Sequence, residues 1–207
     1  MHWKRRTTLM VAIAALLVIL AGGGAWAAGL VPFGDRGAAI HGSAFDPNTP
    51  APNFTLEEAG NKQVQLNDFR GKVVLLYFGY TYCPDICPTT LATIARARAS
   101  LGADASKVQF VMVTVDPKRD TPARLDAYVQ KFDPSFVGLS GTLAQITPIA
   151  SEYGIYFQAQ SPDSTGGYSV DHTAAVTLID PQGQRRLLES YGTTSDQFAT
   201  DIRSLLH

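Results

Sequence analysis

Tryptophan and cysteine are both scarce in this chain of 207 residues. Trp3 and Trp26 are its only two tryptophans, so no indole lies beyond residue 26. Cys83 and Cys87 are its only two cysteines, which excludes a disulfide-rich scaffold, and a domain of this size does not need one. An excess of basic charge is missing as well. Seventeen Lys and Arg stand against 18 Asp and Glu; without Lys4, Arg5 and Arg6 the balance is 14 against 18, or −4. That excludes a nucleic-acid binder relying on a basic face. No internal repeat is visible, and the length fits one domain with an appendage.

Charge of either sign is absent between Arg6 and Asp35. Leu9 to Ala21 reads LMVAIAALLVILA, and Gly22, Gly23 and Gly24 follow. With its flanks the run reaches the roughly 20 residues a helix needs to cross a bilayer core. Lys4, Arg5 and Arg6 precede it, which by the positive-inside rule keeps the N-terminus cytoplasmic and exports the rest. The same features, with the small residues of Ala25-Trp26-Ala27, also describe a cleavable signal peptide. Either way residues 1–30 deliver the remainder to an oxidising extracytoplasmic space, in a bacterial-type inner membrane the periplasm. No cysteine lies near the segment, which excludes a lipid-anchored cysteine there.

Residues 31–52 read as a tether, because Gly and Pro breakers recur through GDRGAAIHGSAFDPNTPAPN without periodicity. The domain is expected over 53–207, with folding starting near Phe54. Val73 to Gly79 (VVLLYFG) and Val108 to Val115 (VQFVMVTV) are continuous apolar, β-branched runs of the kind buried on both sheet faces. Helices are expected over Thr89 to Leu101 with Gly102 at the C-cap, and over Pro122 to Phe132 with Thr121 as N-cap. Two more are expected over Leu143 to Tyr153 and Ser195 to Leu206. Phe136 to Leu139 is a short strand. Ala174 to Asp180 and Arg186 to Tyr191 form a hairpin through Pro181-Gln182-Gly183. This order gives an α/β class with a central mixed sheet flanked by helices. A strand leading straight into a cysteine-bearing helix N-terminus is the thioredoxin arrangement.

The cysteines lie in Tyr82-Cys83-Pro84-Asp85-Ile86-Cys87-Pro88, separated by three residues rather than two. Positions i and i+4 share a helix face with Cβ atoms about 5–6 Å apart, which permits a disulfide or convergence on one soft ion. A helix N-terminus also favours the thiolate. Of four histidines, His2 precedes the apolar run, His41 lies in the expected tether and His207 ends the chain. Only His172 falls within the domain, just before the Ala174 to Asp180 strand. In a thioredoxin arrangement that position packs over the cysteine loop and carries a proline, yet none occurs between Val170 and Asp180. Two thiolates and one imidazole suit Cu(I), and with an added ligand Cu(II); zinc with an open position is the rival.

At these residues the chain resembles the Sco/SenC family of copper-binding assembly factors for cytochrome c oxidase. The matching pieces are Cys83-Pro84-Asp85-Ile86-Cys87-Pro88, Val115-Asp116-Pro117-Lys118-Arg119-Asp120-Thr121-Pro122, Gly138-Leu139-Ser140-Gly141 and Val170-Asp171-His172-Thr173. The resemblance implies that Cys83, Cys87 and His172 ligate one copper ion. That ion would pass towards the dinuclear copper centre of oxidase subunit II or another periplasmic copper protein. It further implies that Asp171 helps orient the loop or ligand, and that Asp116 to Pro122 shapes the rim of the site.

A second reading makes Cys83 and Cys87 a redox dithiol that keeps an acceptor's cysteines reduced and is itself reset by a thiol reductant. The three-residue spacing and the missing proline count against general exchange activity. A thiol peroxidase would need Thr three residues and Pro seven residues before its reactive cysteine. Neither Cys83 nor Cys87 has that Thr, since Tyr80 and Pro84 stand there.

Overall fold

The computed structural model describes residues 40–206. Its centre is β4 (Val73–Gly79), buried at all seven positions and paired in parallel with β5 (Val108–Thr114) from Val73↔Val108 to Gly79↔Thr114. Runs this apolar have nowhere stable to go except a sheet interior. Fully burying Leu75, Leu76, Phe78 or Phe110 contributes about 1.5–3 kcal/mol each. β6 (Val137–Leu139) extends the parallel side beyond β5. On the other side β9 (Val176–Ile179) runs antiparallel to β4, β10 (Arg185–Glu189) antiparallel to β9, and β1 (Ser43–Ala44) antiparallel to β10. The sheet is therefore mixed, in the order β1-β10-β9-β4-β5-β6. Two hairpins supplement it, β2 (Thr55–Glu58) with β3 (Lys62–Gln65), bridged to Ser140 just after β6 through Glu57, and β7 (Phe157–Ala159) with β8 (Val170–His172).

Among the described residues four α-helices flank the sheet: α1 (Ile86–Ser100), α2 (Pro122–Val129), α3 (Leu143–Glu152) and α4 (Ser195–Leu205). α1 packs against α4, and α2 against β6. Thr121, Thr142 and Thr194 cap the last three, each hydroxyl accepting from a backbone N–H three residues on. Helix α1 ends at Ser100 and Gly102 turns left-handed at φ 59°, where only glycine is unstrained.

Several expectations shift. The apolar run at 1–30 and the tether as far as residue 39 lie outside the described residues. Among those that are described, no helix is long and apolar enough to cross a membrane. The tether does not reach Asn53: Ser43 and Ala44 pair with Leu188 and Leu187, and Pro50 bridges Gln184. The reason is an open edge, since β10 would otherwise leave a row of backbone groups unpaired. α1 begins at Ile86, three residues earlier than Thr89, so Cys87 lies inside its first turn. Pro88 stops nothing there, because the first-turn N–H groups have no intrahelical acceptor to lose. α2 ends at Val129, short of Phe132, and β10 spans 185–189 rather than 186–191. Neither the β2–β3 nor the β7–β8 hairpin is foreseen by periodicity.

Candidate metal centre

β4 ends at Gly79, and the chain then turns through Tyr80, Thr81 and Tyr82 into Cys83 before α1 begins. The buried carboxylate of Asp120 holds this loop, accepting from the Thr81 amide at 2.9 Å, the Thr81 hydroxyl at 2.6 Å and the Thr114 hydroxyl at 2.8 Å. Burial pushes the Asp120 carboxyl up, and the Thr81 and Thr114 donors oppose that. Cys87 is fully buried beneath the loop and Cys83 is half-buried above it. The Cys87 backbone N–H donates to the Cys83 sulfur at 3.4 Å, as the free amides of a first helical turn do for an anion.

His172, the last residue of β8, brings its Nε2 within 3.5 Å of the Cys87 sulfur. Its Nδ1 lies 3.4 Å from the Thr173 carbonyl, which can only accept. With Nδ1 turned to that carbonyl, Nε2 is the ring nitrogen that faces the sulfurs. The three ligand atoms lie within 4.8 Å of one another, and among the described residues this is the one such group of His, Cys, Asp and Glu. Both cysteines are free. A sequence offset of 85 residues between Cys87 and His172 is thus closed by the β7–β8 hairpin folding back over the start of α1.

The two thiols are held in unequal states. Hydrogen bonding from the Cys87 side chain holds Cys83 far below the ordinary thiol range. His172 and the Cys87 and Asp85 amides add to this, while burial opposes it. Cys87 is pushed up by that same bond to Cys83 and by its burial. Cys83 is therefore the thiolate and Cys87 its donor. Tyr77, fully buried on β4, donates to the Cys87 sulfur at 3.4 Å, and burial followed by the nearby Cys87 sulfur raises its phenol. The rings of Tyr77 and Tyr80 meet His172 edge-on at 6.0 and 5.8 Å between centroids.

The structure brings together Cys83, Cys87 and His172. Asp171 points elsewhere: it is exposed and accepts from Gln160 Nε2 at 2.6 Å, bracing the hairpin rather than touching the imidazole. His41 lies apart from the trio, its Nδ1 3.2 Å from Asp201. Sequence reasoning placed Arg119 only within the Asp116 to Pro122 rim and missed Tyr77, Tyr80 and Tyr168 as neighbours of the site, although two of these stand within six residues of Cys83. A groove of about 1140 Å³ lies beside the hairpin, lined by Leu143, Tyr156, Phe157 and Tyr168, and contains none of the three ligand residues.

The family model described as SCO1/SenC matches residues 44–207. A mitochondrial SCO2 homologue of Bos taurus is 40% identical over 138 residues, covering 66% of this chain and 52% of that protein. The sco1 protein of Schizosaccharomyces pombe is 35% identical over 156 residues, or 73% of this chain and 59% of that one. This chain spans about half the length of the curated relatives it matches. Among solved structures, apo Sco1 of Thermus thermophilus superposes with a TM-score of 0.75 at 37% identity, covering 84% of this chain and 100% of that one. The copper-bound ScoI of Bradyrhizobium japonicum gives 0.69 at 37% identity, covering 76% and 100%. The matched span takes in the thioredoxin-like sheet, the cysteine pair that opens α1 and the imidazole returned to it from β8, and the chain belongs to the SCO1/SenC family.

Proposed function

We propose that this protein is a copper carrier, in which Cys83 Sγ, Cys87 Sγ and His172 Nε2 hold one copper ion as cargo. The observation that carries this reading is the set of two sulfurs and one nitrogen within 4.8 Å. Such a set is soft and three-coordinate, which suits Cu(I), whereas a structural zinc site asks for four protein ligands. Cys83 and His172 are only partly buried, so the ion is reachable by an incoming ligand. Copper-bound structures of the relatives from Bradyrhizobium japonicum and yeast support the choice of ion. The acceptor we assign is the dinuclear copper centre of cytochrome c oxidase subunit II or another copper protein of the same compartment. The basic-then-apolar residues 1–30 would anchor the domain on the extracytoplasmic face of the membrane.

The experiment is anaerobic Cu(I) titration of the reduced protein against a competing chelator. One equivalent binds to the wild type. His172→Ala, which removes a ligand outright, weakens binding by more than the roughly 10–100-fold that loss of an outer-shell partner costs. Unchanged affinity in that variant would remove His172 from the site.

The half-exposed Cys83 thiolate, one turn from a second thiol, favours a second reading. Cys83 attacks an acceptor's disulfide, and Cys87 then attacks the mixed disulfide. This releases the acceptor as a dithiol and leaves this chain as the Cys83–Cys87 disulfide, which a thiol reductant returns to the dithiol. The oxidised pair cannot hold copper, so carriage and reduction alternate on one pair of sulfurs. Disulfide reduction unaffected by His172→Ala, with no copper bound by the wild type, would favour this reading over carriage.

A further inference from the structure

The turn after β5 carries Arg119, whose side chain is only 18% exposed. Its guanidinium carbon lies 3.6 Å from the centroid of the Tyr168 ring, 4.5 Å from that of Tyr82 and 5.8 Å from that of Tyr80. Its Nε donates to Asp116, and one of its η nitrogens donates to the Tyr168 carbonyl at 2.8 Å. The Tyr168 hydroxyl donates to the other oxygen of the same Asp116 at 2.8 Å. The remaining η nitrogen is buried without a hydrogen-bond acceptor, so the aromatic faces must offset its desolvation.

These contacts join three segments that the sequence keeps far apart. Tyr80 and Tyr82 belong to the cysteine loop, Arg119 and Asp116 to the turn after β5, and Tyr168 to the approach to β8. The path continues to the imidazole. Tyr80 accepts from the Val170 amide at 3.3 Å, two residues before His172, and its ring meets the His172 ring at 5.8 Å. Without the guanidinium, the strand bearing His172 would be tied to the cysteine loop mainly through Tyr80.

We propose that Arg119 is a positioning residue for the metal centre: its guanidinium clamps the β7–β8 hairpin to the cysteine loop and so sets His172 over the two sulfurs. The metal readout of this role rests on the copper-carrier reading; the readout on metal-free protein does not. A purely electrostatic role has the opposite sign. A cation near a cation site opposes binding, so removing only its charge would tighten copper binding, whereas removing a clamp weakens it.

The test compares anaerobic Cu(I) affinity of wild type, Arg119→Gln, Arg119→Lys, His172→Ala and the Arg119→Gln/His172→Ala double variant. Arg119→Gln is expected to weaken binding by about 10–100-fold, as loss of an outer-shell partner does. Arg119→Lys does not restore it, because an ammonium lacks the planar fork that stacks and donates at once. In the His172→Ala background the Arg119 change adds nothing, since both act through one ligand. Tighter or unchanged binding, full rescue by lysine, or equal losses in both backgrounds would overturn the clamp. Tyr168→Leu, which removes the stacked ring and keeps the arginine, loosens the same contact should Arg119→Gln fold poorly. Amide hydrogen exchange of metal-free protein supplies the independent readout. Val170 exchanges faster in Arg119→Gln and in Tyr168→Leu, and unaltered Val170 exchange refutes the proposal. A wild type that binds no copper would sink the carrier reading alone and leave hydrogen exchange to decide the clamp.

Discussion

At Gly79, the last residue of β4, the absent side chain makes room for a sulfur. A methyl group built there would lie 2.9 Å from Cys87 Sγ, 2.8 Å from the Tyr77 ring and 3.0 Å from the end of Met112. The Tyr77 ring is fully buried and its hydroxyl is committed to that sulfur, so neither can retreat without breaking the contact between them. Gly79→Ala is therefore expected to cost about 1–3 kcal/mol, the usual penalty of overpacking a filled core. It should also weaken copper binding by displacing Cys87. Thermal melting and Cu(I) titration check both effects, and an alanine variant matching the wild type in each would show that the floor of the site gives easily. The unequal thiols have their own consequence. Since Cys83 is lowered by its bonds from Cys87 and His172, its alkylation rate should stay nearly flat from about pH 9 down to mildly acidic pH. An ordinary cysteine slows tenfold per unit below its ordinary value near 8.5. Rates of iodoacetamide labelling at Cys83, mapped by mass spectrometry, test this directly, and a tenfold fall per unit would disprove the lowered thiol.

Among the elements, those with a strong period were legible and those defined by contact across space were not. β4 and β5 were readable almost to the residue because runs such as VVLLYFG leave no polar face for any other placement. His172 stood out by elimination, since it was the one histidine within the domain expected from the sequence, although the structure also folds His41 in against Asp201. The β7–β8 hairpin was not legible: Phe157–Ala159 and Val170–His172 are three residues each, separated by a Ser- and Gly-containing stretch without alternation. The stacking of Arg119 on Tyr168 escaped for a related reason, because a cation set on a ring 49 residues away has no signature in either local pattern. Asp120 shows what the element after β5 contributes beyond the rim shape expected of it. Asp120→Ala would strand the Thr81 amide and two hydroxyls around a buried cavity. It is expected to cost about 2–4 kcal/mol, summing unpaired donors at the usual 1–3 kcal/mol each with partial relief by water. Asp120→Asn keeps an acceptor for the Thr81 amide and should recover much of that loss. Urea denaturation of the two variants, with hydrogen exchange at Thr81, decides the matter; equal stability of Asp120→Ala and wild type would leave the loop held by other means.

For the molecule as a whole, the chain enters the domain at a place separate from the metal centre, with β10 and β9 lying between β1 and β4. There Asp201 of α4, fully buried, accepts from the His41 and Gly42 amides at 3.0 and 3.1 Å and faces His41 Nδ1 at 3.2 Å. Beside it lies Glu189, the last residue of β10, also buried and accepting from the Thr193 hydroxyl. Burial first, and then the neighbouring Asp201 carboxyl, pushes Glu189 from 4.5 up to about 8. Between those two values the folded chain binds more protons than the unfolded one. The stability contributed by the protonated side chain is therefore complete below about pH 4.5 and declines as pH rises towards 8. Glu189→Gln keeps the neutral, hydrogen-bonding shape at every pH. It should melt close to wild type near pH 5 and be more stable than wild type above pH 8, by about 1–3 kcal/mol for the relieved buried charge. Copper affinity should not change, because the substitution lies outside the site. Melting curves of both proteins across that range provide the check. Parallel loss of stability in wild type and variant from pH 5 to 9 would mean that the carboxyl pair does not hold the proton this packing assigns to it.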